Sequence, residues 1–220
     1  MVRKTDLPRL KPKSYTGVED LRREFATRKA FIRKRLDEFA RVRPREHFYE
    51  LVYCLLTPQS TAVHAGMAVQ KLRAGRTTQT AAEVAAVLRE KDSYIRFHNT
   101  KANHLKKLET QFPEIAAVLC NGRSGRDLRE WLVENVRGLG WKEASHFLRN
   151  IGHRDLAILD RHILRNLKRH GVVRTIPKTM TRRQYLDIEE KFLTFSRTIA
   201  ITIDELDLLF WSRETGEILK

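Results

Sequence analysis

The sequence predicts an all-α fold of about ten helices, and three observations carry that reading. Apolar residues recur at steps of three, four and seven along nearly the whole chain. Period-two alternation never runs beyond four residues, which leaves β-sheet marginal at most. Cap and breaker residues separate the helical runs, with no long linker between them. Leu21, Phe25, Ile32, Leu36 and Phe39 line one face of a helix over about 18–40. Pro44 divides it from His47 to Leu56, a run apolar almost all round and so expected to be buried. Thr57-Pro58-Gln59-Ser60 breaks that run. Thr61 to Leu72 resumes with Ala62, Ala65, Gly66 and Ala68, small enough for close helix packing.

Thr80 caps a helix over 81–89. Two helices are expected next, over 101–112 and 113–119, with Pro113 in the first turn of the second. Leu128, Trp131, Leu132 and Val136 stripe a helix over 124–136, which Gly138-Leu139-Gly140 ends. A helix from near Lys142 runs to Ile151, and Asp160 opens another that stops at Gly171. Thr181 caps a long helix through about Arg197, and Ile203 to Trp211 closes the series. The first helix and the last ones must pack around the middle ones, which favours a two-lobed body with a cleft. The expected division is a basic arm over 1–17, a central lobe over 58–155, and a second lobe from 18–57 and 156–220.

Composition narrows the class of protein. The 220 residues include 43 Lys and Arg against 27 Asp and Glu, a net charge of +16. Phosphate backbones are the commonest destination for such a field, because each neutralised phosphate releases a condensed counterion. Apolar residues at 41% suffice for a solid core, and no stretch approaches an uncharged membrane span. The first residues are basic without an apolar core segment, so a secretory signal is not expected. Cys54 and Cys120 cannot build a disulfide scaffold or a four-thiolate cluster. An intracellular, nucleic-acid-binding monomer in the cytoplasm is expected, with no protein partner implied.

The informative stretch runs from Asp127 to Asp160. Glycines at 138 and 140 permit positive φ and remove Cβ, so N–H groups opening the next helix can approach a phosphate. Lys142 follows two residues after Gly140, and Asp160 lies eighteen residues beyond Lys142 at a helix start. This pattern resembles the helix-hairpin-helix DNA glycosylase superfamily, in which the hairpin is followed by a catalytic Lys and then a catalytic Asp. Leu55-Leu56-Thr57-Pro58-Gln59-Ser60 is similar to the loop that inserts a Gln into the DNA stack. Phe97-His98-Asn99-Thr100-Lys101-Ala102 resembles the superfamily's F/Y-x-N-x-K-A helix start. The four cysteines of iron–sulfur relatives are missing, and the chain ends in Lys220 with Trp211 nine residues before it. Those features look like the Ogg2 group of 8-oxoguanine glycosylase/lyases.

The resemblance implies a two-lobed glycosylase architecture, double-stranded DNA carrying 8-oxoguanine as partner, and base excision followed by strand cleavage. Lys142 is the implied nucleophile at C1′, and Asp160 the carboxylate that stabilises charge building on the sugar. Phe97 and Trp211 are implied to sandwich the flipped purine, with Lys220 reaching into the pocket. Stacking cannot tell guanine from 8-oxoguanine, so an acceptor for the N7–H is needed, from the C-terminal carboxylate or Asp207. Gly138, Gly140 and Gln59 are the implied DNA contacts. No metal ligand set is expected, since Glu143 and His146 share a helix face without a second such pair. No cofactor is expected beyond a monovalent cation on the hairpin carbonyls. Two other readings stand beside this one: an endonuclease III-like glycosylase for oxidised pyrimidines, and a helix-hairpin-helix module that only binds DNA.

Overall fold

Side-chain caps set most of the helix starts. Thr61, Ser124 and Asp160 each accept from the backbone N–H three residues on, while Thr80, Thr181 and Thr202 form reciprocal capping boxes with Glu83, Gln184 and Glu205. In the computed structural model, which describes residues 15–75 and 80–216, the helices are α1 (Val18–Ala40), α2 (His47–Leu56), α3 (Ala62–Ala74), α4 (Ala81–Arg89), α5 (His98–Leu119), α6 (Gly125–Asn135), α7 (Trp141–Asn150), α8 (Arg161–Arg169), α9 (Arg182–Ile199) and α10 (Ile203–Thr215). Short 3-10 turns occur at Pro44–Glu46 and Lys91–Ser93. The described residues contain no strand, and none of their helices is long and apolar enough to cross a membrane.

One expectation fails at Pro113. The two helices expected over 101–112 and 113–119 are a single helix, α5, with the proline inside it. Proline removes one backbone donor and disfavours a helix interior. Here Leu105, Leu108 and Ile115 are all buried on α5, so the apolar stripe continues across the proline and holds the helix together.

Two apolar clusters divide the molecule. One gathers α1, α8, α9 and α10, with Phe192, Phe195 and Phe210 fully buried. The other gathers α2 through α7 around Leu51, Leu56, Leu88 and Phe147. The division differs from the expected one at α2, whose residues 51–56 all belong to the second cluster. The reason is the all-round apolar character of α2, which has to be enclosed by α3, α5 and α7. The chain crosses between clusters at Leu156 and Ala157, just before Asp160. Residues 15–17, expected to belong to a basic arm, are tied to the end of α8. Thr16 Oγ1 donates to the Arg169 carbonyl at 2.7 Å, and the His170 ring meets the Thr16 carbonyl at 2.7 Å.

Candidate active site

A cavity of about 990 Å³ lies where elements of the two clusters meet. Tyr53 of α2, the 57–61 loop and α7 form one side. Asp160, His162 of α8 and Trp211 of α10 form the other. Lys142, Asp160, Gln59 and Trp211 all line it, so four of the residues singled out in the sequence converge on one space.

Lys142 sits in the first turn of α7, which Gly140 caps with extended backbone. Its side chain is 26% exposed, and its Nζ stands 3.5 Å from Glu143 Oε1. Asp160 is the N-cap of α8, and its Oδ1 accepts from the Ile163 N–H at 2.8 Å. That leaves the second carboxylate oxygen free of the capping role. A buried network sets the approach to Asp160. The Tyr185 hydroxyl donates to the Ala157 carbonyl at 2.5 Å and accepts from the Leu159 N–H at 3.3 Å, while Glu189 Oε2 accepts from the Ala157 N–H at 2.9 Å. Trp211 faces the His162 ring at 5.6 Å, and His162 Nδ1 lies 3.4 Å from Glu214 Oε2.

The hairpin glycines differ in what they do. Gly138 has φ 89, in the left-handed region, and a Cβ there would collide with the His104 ring. Gly140 has φ −92 and ψ 179, which any residue adopts, and a Cβ would meet Glu143 Oε2 at 2.9 Å. Gln59, by contrast, holds φ 57 without being glycine, an uncommon backbone state for its type. Lys101 fixes the loop that carries it. This buried lysine donates to the Leu56 carbonyl at 2.8 Å and the Pro58 carbonyl at 2.7 Å, and burial pushes its ammonium down to about 8.

Two residues expected in the base pocket lie elsewhere. Phe97 does not line the cavity. It is the left-handed N-cap of α5, half exposed, with its ring against the Arg96 guanidinium, and Arg96 occupies the cavity wall in its place. Asp207 is fully buried behind Arg149, with Oδ2 3.5 Å from Arg149 Nη1, in a stretch of α10 where residues 203–210 are all buried. Burial pushes its carboxyl up to about 7, opposed by Arg149 and reinforced by Asp160 and Asp204. Lys220 lies outside the described residues.

His146 and Arg149 also line the cavity and were missed from the sequence. The signal was there: they stand four and seven residues after Lys142, on the same face of α7. Among the described residues no group of three His, Cys, Asp or Glu side chains is placed to hold a metal ion.

A family described as "8-oxoguanine DNA glycosylase" matches residues 32–201. The 8-oxoguanine DNA glycosylase/AP lyase of Korarchaeum cryptofilum is 40% identical over 210 residues, spanning 93% of this chain and 100% of that one. The crystal structure of the Methanocaldococcus jannaschii 8-oxoguanine glycosylase/lyase in complex with 15mer DNA containing 8-oxoguanine superposes with a TM-score of 0.82 at 34% identity, covering 91% of this chain and 100% of that chain. The 8-oxoguanine DNA glycosylase of Thermotoga maritima gives a TM-score of 0.83 at 31% identity, covering 92% and 98%. An all-helical chain with its hairpin, cavity and near-complete match to these proteins belongs to the 8-oxoguanine DNA glycosylase family.

Proposed function

We propose that the protein excises 8-oxoguanine from double-stranded DNA and then cleaves the strand at the resulting site, as a monomer at the nucleoid in the cytoplasm. The observation that carries this reading is the convergence of Lys142 and Asp160 on one cavity with Trp211, beside a glycine hairpin. The net charge of +16 supplies the field for the phosphate backbone. Gly138 and Gly140 let the hairpin approach a phosphate, while Gln59 faces the gap that a flipped nucleotide leaves.

The damaged nucleotide leaves the stack and its purine ring packs on Trp211, a contact worth about 1–3 kcal/mol. Cleavage of the C1′–N9 bond sends the bonding pair to the base and builds positive charge on the sugar. The carboxylate of Asp160, held by its cap bond, stabilises that charge. Lys142 Nζ, after losing a proton, forms the new bond to C1′. Ring opening yields a Schiff base between Nζ and C1′. Loss of a C2′ proton then expels the 3′ phosphate oxygen, which nicks the strand, and water releases the enzyme from the imine.

A panel of duplexes carrying 8-oxoguanine, thymine glycol or uracil tests this reading. Excision and nicking confined to the 8-oxoguanine duplex are expected. Preference for thymine glycol would place the protein with the pyrimidine-directed glycosylases, and binding without cleavage of any duplex would make it a binding module.

A further inference from the structure

Arg149 carries a charge that its surroundings answer incompletely. It is 1% exposed and lines the cavity on the same face of α7 as Lys142. Its guanidinium lies over the Phe39 ring, 4.6 Å from the centroid. Asp207 Oδ2 stands 3.5 Å from Nη1, too far for a normal hydrogen bond. Among the described residues neither Nε nor Nη1 has a hydrogen-bond acceptor, and neither oxygen of Asp207 has a donor. A guanidinium cannot shed its proton, and a buried donor left unfilled costs about 1–3 kcal/mol. Such a wall is completed by a ligand that brings acceptor atoms to it.

We propose that Arg149 is a specificity determinant of the base pocket, donating N–H groups to a ring carbonyl of the flipped purine. This rests on the reading that the cavity receives a flipped base. A guanine-type base presents O6 as an acceptor, whereas an adenine-type base presents an amino group that sets donor against donor. Phe39 fixes the plane of the guanidinium from behind and Asp207 answers part of its charge, so the fork is pre-shaped for a flat carbonyl-bearing edge. A site built around a polar partner rejects the analogue that lacks it far more strongly than an apolar slot does.

The test is single-turnover excision from duplexes carrying 8-oxoguanine or 8-oxoadenine, together with strand cleavage at a preformed abasic site, for the wild type, Arg149→Met and Arg149→Lys. Arg149→Met is expected to lose on the order of 30- to 100-fold on 8-oxoguanine, the loss of one charged hydrogen bond. The loss on abasic DNA, which brings no base to the wall, is expected to be several-fold smaller, and the preference for 8-oxoguanine over 8-oxoadenine to narrow. Arg149→Lys, which keeps the charge without the fork, falls between wild type and Arg149→Met; it decides the matter alone if Arg149→Met does not fold. Equal losses on 8-oxoguanine and abasic DNA, or an unchanged preference in Arg149→Lys, would overturn the proposal. A wild type that cleaves abasic DNA but excises neither purine contradicts the functional reading itself, a result distinct from either of those.

Discussion

Arg129 of α6 and Glu189 of α9 form a bidentate ion pair, 1% and 2% exposed, with Arg129 Nη2 donating to Glu189 Oε1 at 2.8 Å. The pair joins the helix before the hairpin to the lobe that presents Asp160. Glu189 also accepts from the Ala157 N–H, and Arg129 Nη1 donates to Ser145 Oγ on α7 at 3.2 Å. Breaking such a pair strands a buried charge. Glu189→Gln and Arg129→Met are each expected to cost about 3–5 kcal/mol in urea unfolding. The double variant is expected to lose less than the sum, since neither charge is then left alone. Additive losses would show that the two side chains act separately.

Asp160→Asn separates the cap of α8 from the chemistry. Asparagine accepts the Ile163 N–H as well as aspartate does, so the melting temperature should shift by only a few degrees. Excision of 8-oxoguanine should fall by about 100-fold or more, because a neutral amide cannot answer positive charge on the sugar. A rate near wild type in single-turnover assays would remove Asp160 from the mechanism.

The hairpin glycines should respond differently to alanine. Gly138→Ala forces φ 89 on an L-residue and drives Cβ into the His104 ring, with an expected cost of about 1–2 kcal/mol and weaker DNA binding. Gly140→Ala keeps an allowed backbone and has only the tip of Glu143 to displace, so its cost should stay below about 1 kcal/mol. Thermal melts and filter binding rank the two, and the reverse order would contradict the geometry.

Asp207 gives a pH signature. Its folded carboxyl is raised from 3.8 to about 7 by burial, with Asp160 and Asp204 adding to the rise and Arg149 and Lys142 opposing it. Between about pH 4 and 7 the folded state therefore binds more protons than the unfolded one, and stability falls as pH rises through that window. Asp207→Asn should flatten this fall while leaving the contribution of Asp204, itself raised to about 6. Parallel stability curves for wild type and Asp207→Asn would show that Asp207 titrates as an ordinary carboxylate.

Much of this site was legible because its chemistry is written in residues with fixed spacing. Lys142 and Asp160 stand at helix starts, and helix starts are marked by glycine and capping residues. Trp211 and Gln59 followed from the family resemblance, Trp211 by its nine-residue offset from Lys220 and Gln59 by the loop over 55–60. Residues placed by backbone twist or by tertiary burial were harder. Phe97 sits at a left-handed N-cap that turns it outward, which a linear motif does not encode. Asp207 looks polar and available in the sequence, but residues 203–210 of α10 are all buried. Arg149 drew no reading of its own among 43 Lys and Arg, although its seven-residue offset from Lys142 placed it on the reactive face of α7. Pro113 was read as a helix start, and the burial of Leu108 and Ile115 on either side outweighed it.

Borohydride trapping tests the central claim most directly, on a duplex with one 8-oxoguanine opposite cytosine and with Lys142→Gln alongside the wild type. Reduction of the Schiff base should leave the wild-type protein covalently bound to the DNA, and Lys142→Gln should bind the duplex without forming an adduct. An adduct of equal yield with Lys142→Gln, or none with a wild type that binds tightly, would contradict the assignment of Lys142 as the nucleophile.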